Sequence, residues 1–406
     1  MVDAMAKADS FAPNAVASRS GNPADAIAIS PANADVLGKY RAIAIRGIHT
    51  PAQHPVWIEG WVEATAPQAF VATFSENRHP VFAIALEVVK TGPCHTARLL
   101  GGRHANGNFA PVDPSWLAAA GEKPFRALPA AIARSLPGVD ILALERLAPA
   151  HGGCPNPLLA LPHTRSPNIS LAVDLSGGFE QYMARPNGKR KRKKHRSDER
   201  KFEAAGGFRR YEAGSESEVK ALLDAFFEMK AARFRKAGIP NVFAEPEVQN
   251  FFRRLFTKSL SHSPKPFSLQ GLEVGGSLRA MTASSRTSDR LICEFGAIAD
   301  DEPSNASPGE FLFYENIRET AEQGLPLYDF SVGDEPYKRG WCDIETVHYD
   351  VIVPLSMKGR LYAAWLRMLA TLKLGVKNSP MIWRFAKAIR RRTLGQSEGK
   401  PSVESD

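Results

Sequence analysis

The block 267–332 constrains this chain more than any other part of it. FSLQGLEV (267–274) and SLRAMTASS (277–285) flank Gly275 and Gly276, a two-glycine link that favours a tight hairpin. RLICEFGAIA (290–299) predicts a third strand, a polar loop occupies 300–306, and a helix is predicted over 308–323. LYDFSV (327–332) and ETVHYDVIV (345–353) predict two more strands. Adjacent hairpin strands followed by strand–helix–strand require a mixed sheet, so the expected class is α/β with strands of both senses.

A chain of 406 residues is too long for one compact core, and two domains are expected. The first, over 35–165, has predicted strands at 56–64 (VWIEGWVEA), 80–89 (PVFAIALEVV), 96–102 (TARLLGG) and 139–147 (VDILALERL). A loop is expected at 103–113, a helix at 123–135 and a crossing segment at 151–166, which holds three prolines and two glycines. The second, over 166–355, opens on SLAVDL (170–175) and a short helix at 179–184, then a charged helix over 189–205 that stops at Gly206 and Gly207. Ser215 and Glu218 fit a capping box opening a helix to Lys236, which Gly238 and Pro240 end. Another helix lies within 246–261, and two basic amphipathic helices are expected at 356–395. The composition of 1–34 and 396–406 marks them as disordered tails.

Four separate cysteines without C-x-x-C spacing or a histidine cluster fit a reducing compartment and no metal site. The start lacks the pattern of a signal peptide, and no run of 18 uncharged apolar residues is present, so a cytoplasmic protein is expected. A net charge of +9 favours anionic partners.

Chemistry concentrates in two places. Ser307, Pro308, Gly309 and Glu310 compose a helix-start signal with Ser307 as N-cap. Phe313, Ile317 and Ala321 share one face of that helix, and Glu315, Glu319 and Glu322 are expected toward water. Free amides at such a start suit a phosphate, which makes Ser307, Pro308, Gly309 and Phe311 the candidate cofactor-binding positions. The second place is YDFSVGDEPYKRGWCD (328–343), at the end of a strand, where ligands bind in α/β sheets. Here Asp334 or Glu335 would accept a nucleophile's proton, and Tyr337 or Lys338 would support developing negative charge. Glu294, on the preceding strand, is a further candidate base.

The stretch SPGEFLFYENIRETAEQGLPLYDFSVGDEPYKRGWCD resembles the C-terminal half of CelD-type cellulose-biosynthesis proteins, a GNAT acetyltransferase group related to the FemAB aminoacyl transferases. LLGGRHANGNFAP (99–111) and NISLAVDLSGGFEQYM, followed by the basic run, are also similar to that group. The resemblance covers about 40–375. It implies two tandem GNAT-like folds, acyl-CoA as donor in the second, and transfer to an amine or hydroxyl of a small-molecule or glycan-precursor acceptor in polysaccharide or cell-envelope biosynthesis. Ser307, Pro308 and Gly309 stand where GNAT enzymes carry a Q/R-x-x-G-x-G/A loop. Two alternatives stay open: a non-catalytic scaffold or regulator of exopolysaccharide assembly, and a FemAB-like transferase using aminoacyl-tRNA.

KRKRKKHRSDERK (189–201) holds nine Lys or Arg, spread over every helical face, and reads as a solvated helix or an anion site. With no interleaved aromatics it is a poor nucleic-acid binder outside the tRNA alternative. Over 351–397 there are ten Lys or Arg and no Asp or Glu. Leu361, Trp365 and Met368 share a helix face, as do Trp383, Ala386 and Ile389, so peripheral contact with an anionic membrane through 356–393 is a second expectation.

Overall fold

The computed structural model describes residues 26–299, 306–365 and 368. Strands β1 (Ile27–Pro31), β2 (Ala69–Glu76), β3 (His79–Thr91) and β4 (Cys94–Leu99) run antiparallel, and β5 (Ile141–Leu147) joins parallel to β4. After the small ribbon of β6 (Ala150–His151) and β7 (Cys154–Pro155) comes β8 (His163–Asp174). The second half then repeats the opening order. Strands β9 (Phe208–Glu212), β10 (Phe267–Val274), β11 (Ser277–Arg286) and β12 (Arg290–Ile298) are antiparallel, and β13 (Leu327–Val332) lies parallel to β12. The two halves exchange their last strands: β8 pairs with β13, while β14 (Ile344–Pro354) pairs with β5, and β8 and β14 pair with each other. Among the described residues this makes one mixed sheet of twelve strands. The mixed α/β class expected from the hairpin and the strand–helix–strand block is the class observed.

Helices α1 (Ala34–Arg46) and α2 (Pro55–Thr65) share one core with the later α8 (Glu216–Ala237) and α9 (Pro246–Ser259). Trp57 and Trp61 stack at 5.6 Å, and Phe251 of α9 meets each of them edge-on at 4.9 Å. Helices α3 (Pro114–Ala120), α4 (Lys123–Arg126) and α5 (Leu128–Ser135) belong to the first half, where Phe125, Leu128 and Ile132 enter a separate core with Phe82. In the second half α6 (Gly178–Met183), α7 (Gly188–Ala204) and α10 (Pro308–Glu322) pack together, and α11 (Pro336–Arg339) is a single turn after β13.

Several expectations need correction. Residues 56–64 are helical, within α2. Pro55 starts that helix, the His54 ring accepts the Val56 N–H at 3.2 Å, and Trp57, Ile58 and Trp61 bury one helical stripe against α9. β1 lies inside the segment assigned to a disordered tail and is held by β2. α1, β2 and β9 have no counterpart among the elements expected from the sequence. The helix over 189–205 is not solvated all round: α7 buries Gly188, Asp198 and Phe202. The capping box at Ser215 is present, with the Glu218 N–H donating to Ser215 Oγ at 3.2 Å and the Gly214 N–H to Glu218 at 2.8 Å. Of the basic C-terminal region, a helix over 357–365 is described; Trp383, Ala386 and Ile389 lie outside the described residues.

Candidate active site

β12 and β13 pair at only three positions, Arg290↔Leu327, Leu291↔Tyr328 and Ile292↔Asp329, and then part. Both strands carry the cause. On β13, Ser331 takes a left-handed φ of 58°, held by its N–H donating to the Asp329 carboxylate at 2.7 Å, and the register with β8 shifts there. On β12, a bulge lies opposite Ala283 and Ser284 and leaves Glu294 without a cross-strand partner. Bulges re-aim side chains. Cys293 joins the core under α10, Phe295 packs with the core of α2, α8 and α9, and Glu294 lines a cavity of about 240 Å³ on that second side. Past Ile292 the β12 edge facing β13 has no strand partner, which leaves backbone donors and acceptors along the gap.

The first half has the same three-position pairing, between β4 and β5. There the chain laces its own gap shut. Asn108 bridges Leu147, and its Nδ2 donates to the carbonyls of Ala105 and Glu145 at 3.2 and 3.0 Å. Arg146 donates to Asn106 Oδ1 at 2.6 Å and to the Arg103 carbonyl at 2.8 Å. Among the described residues no comparable bridge joins β12 to β13.

On the cavity side, Glu294 accepts from Ser285 Oγ at 2.6 Å. Burial pushes its carboxyl up to about 7, with the Ser285 hydrogen bond opposing and nearby Asp329 adding to the rise. The cavity wall is aromatic, with Trp57, Phe243, Phe252 and Phe295, and the first half adds Arg103 and His104.

On the other side, α10 begins close to the end of β12: a Cβ on Gly309 would sit 2.4 Å from Ile298 Cδ1. Ser307 occupies the N-cap position but its side chain does not cap, correcting that expectation, so the first-turn amides have no side-chain acceptor from it. Glu315 is buried rather than water-facing, taking the His195 Nε2–H at 2.7 Å and pairing with Arg318. Phe311 is 2% exposed beneath the His195 ring at 4.3 Å, with Phe202 edge-on at 5.1 Å. Its ring is therefore mostly enclosed, with one edge at a cleft. Beside it opens a cleft of about 220 Å³ lined by Arg190, Lys191, Lys194, Glu310, Tyr337 and Trp341. Lys191 donates to Tyr182 Oη at 2.8 Å and lies 4.6 Å over the Trp341 ring, and burial brings its ammonium down to about 8.

The loop after β13 divides its charges. Asp334 pairs with exposed Arg339 at 2.5 Å, which holds its carboxyl below the usual range. Glu335 pairs with Lys338 at 2.8 Å. Lys338 is 5% exposed and donates to the Val332 carbonyl, at the end of β13, at 3.1 Å, which sets it beside the gap. Tyr337 stacks on Phe313 at 5.7 Å, and burial raises its phenol. The structure thus brings Phe311 and Tyr337 to one cleft, sets Lys338 at the gap and puts Glu294 on the opposite side. Asp334 is spent on a surface ion pair, so Asp334→Asn is expected to hold any turnover at this site within about twofold of wild type.

His195 and Lys191 were missed, although a signal existed: Lys191, His195, Asp198 and Phe202 recur at helical spacing within the basic run. The bulge at Glu294 has no such local signature.

Residues 189–339 match the family model described as "Acetyltransferase (GNAT) domain". No curated protein sequence matches the chain significantly. Among solved structures, FemX aligns with a TM-score of 0.53 at 11% identity, covering 78% of this chain and 96% of that one. The C-terminal domain of a putative lysylphosphatidylglycerol synthetase from Agrobacterium fabrum gives 0.51 at 13% identity, with coverage of 84% and 97%. A conserved protein of unknown function from Bacteroides thetaiotaomicron gives 0.51 at 11%, with coverage of 81% and 100%. Identities this low report a common fold. Among the described residues no helix is long and apolar enough to cross a membrane, and no cluster of His, Cys, Asp or Glu is arranged to hold a metal ion. Residues 189–339 are thus similar to a GNAT-type acetyltransferase domain, within a mixed α/β fold that these solved structures share.

Proposed function

We propose that the chain is an acyl-CoA-dependent N- or O-acyltransferase whose single reaction site is the gap between β12 and β13. The observation that carries this reading is the parting of those strands between a helix start on one side and a partly buried carboxylate on the other. The donor's diphosphate would lie at the first turn of α10, beside Arg190 and Lys191. Its amide-bearing arm would follow the unpaired β12 edge, bringing the thioester between the strands. The acceptor would enter through the cavity that holds Glu294. Its amine or hydroxyl attacks the thioester carbonyl and forms the new C–N or C–O bond. Glu294 takes the proton released, the C–S bond breaks, and Lys338 offers charge to the oxyanion or departing thiolate. The aromatic wall favours an acceptor with an apolar body. An envelope or polysaccharide precursor is supported by the CelD-like stretch and by the likeness to a putative lysylphosphatidylglycerol synthetase domain.

Titration calorimetry with acetyl-CoA and longer acyl-CoAs tests the donor. Binding to wild type is expected, and Gly309→Val is expected to weaken it, because the added methyls crowd the exposed Ile298 side chain beside the first-turn amides. Arg190→Ala with Lys191→Ala, which do not touch that contact, should weaken it too. Wild type that binds no acyl-CoA overturns the reading.

One observation favours a second donor. Lys189, Lys193, Arg196 and Arg200 form an exposed stripe on α7, facing away from the α10 contact. An aminoacyl-tRNA would find phosphate contacts there. Binding of tRNA that persists at physiological salt, with loss in a variant neutralised at all four positions, would favour this donor over acyl-CoA.

A further inference from the structure

The helix that follows β14 is tied to the first half by its inner side. The Leu355 N–H donates to the Asp140 carbonyl at 2.7 Å, Ser356 Oγ donates to Asp140 Oδ1 at 2.6 Å, and Lys358 Nζ pairs with the same carboxylate at 3.3 Å. Gly359 presses against that strand start so closely that a Cβ would lie 2.0 Å from the Asp140 carbonyl oxygen. Ala363 is buried on the same side, and Tyr362 reaches Gly92 of the β3–β4 turn. With the inner side fixed in this way, the helix must turn its other face outward.

That outer face is apolar. Met357, Leu361 and Trp365, spaced by four residues, are 69%, 72% and 48% exposed, and Trp365 stacks on Tyr362 at 5.5 Å. Large apolar side chains in a row on a fixed helix mark a contact surface. The charge around them selects the contact. Arg360 flanks the row, and the sequence over 351–397 holds ten Lys or Arg and no Asp or Glu. An apolar row with Trp, set in a segment free of acids, is complementary to a bilayer whose headgroups are anionic: the row enters the interface and the cations meet the phosphates.

We propose that the face of Met357, Leu361 and Trp365 seats the protein on an anionic lipid surface. The proposal is independent of the donor and acceptor reading, since none of these residues lies in the gap or its two mouths.

Sedimentation of the full chain with vesicles of phosphatidylglycerol and phosphatidylcholine, against vesicles of phosphatidylcholine alone, is the test. Binding is expected to the mixed vesicles and to be at least tenfold weaker to the neutral ones. Leu361→Ser with Trp365→Ser preserves charge and is expected to weaken binding at least tenfold, with the thermal melt and acyl-CoA titration unchanged. If that pair sediments with anionic vesicles as well as wild type, the basic residues act without the apolar face and the proposal falls. It also falls if wild type stays in the supernatant, or if the exposed row proves to mediate self-association that the Ser pair abolishes while vesicle binding persists.

Discussion

Glu294→Gln is expected to lower acyl turnover by about a hundred- to ten-thousand-fold with acyl-CoA affinity retained. The carboxylate is the candidate base whose environment suits the role: it is bulged off β12, lies in the cavity proposed for the acceptor and is brought by burial to about 7. Below that value it carries its proton and accepts none. In wild type, turnover should therefore rise with pH and level off above about 7, and this limb should vanish in the Gln variant. A stability signature accompanies it. The folded state keeps a proton that the unfolded chain, with an ordinary carboxyl of 4.5, has already lost. Native stability thus falls as pH rises from about 4.5 through 7, by on the order of 3 kcal/mol when complete. Gln carries no such penalty, so at pH 8 the variant should be the more stable protein in urea melts. A Gln variant with full turnover, or one whose stability follows the wild-type pH curve, would remove Glu294 from the mechanism.

The second large effect is structural. Phe311→Ala is expected to cost about 3–5 kcal/mol of stability, read as a lowered urea midpoint. Phe311 is enclosed by the His195 ring, Phe202 and Phe208, and these rings fasten the basic helix α7 to the start of α10. Removing the ring opens a cavity where that helix start is held. Donor affinity should fall together with that loss of stability, because the helix start proposed to hold the diphosphate is loosened. A large loss of acyl-CoA affinity at unchanged stability would instead make Phe311 a direct donor contact.

What could be read from the chain is what neighbours along it decide. The hairpin of β10 and β11 rests on two adjacent glycines at positive φ, and α8 rests on a capping box and a left-handed Gly238; each needs only a few consecutive residues. Residues 56–64 read as a strand because their apolar positions fit either period, and the deciding contact is Phe251, nearly two hundred residues away. The site divides in the same way. Glu294 was recognisable as an acid on the strand before the helix. The bulge that turns it, and Arg103 and His104 across the cavity, arise only when two distant segments meet. Asp334 and Glu335 have a suitable residue type, but Arg339 and Lys338, a turn further on, claim them. The short spacing of those pairs was available in the sequence as a warning.

The exchange of β8 and β14 has a consequence for synthesis. β5 receives its outer partner only through pairs such as Ile141↔Pro354, more than two hundred residues later. A ribosome that has released the whole first half has therefore delivered a sheet with one bare edge, and that edge must wait for nearly the entire chain. Such delayed pairing slows folding and exposes a strand to neighbouring nascent chains. Fragments cut between the halves should stay incomplete apart, and recover ordered structure only when mixed.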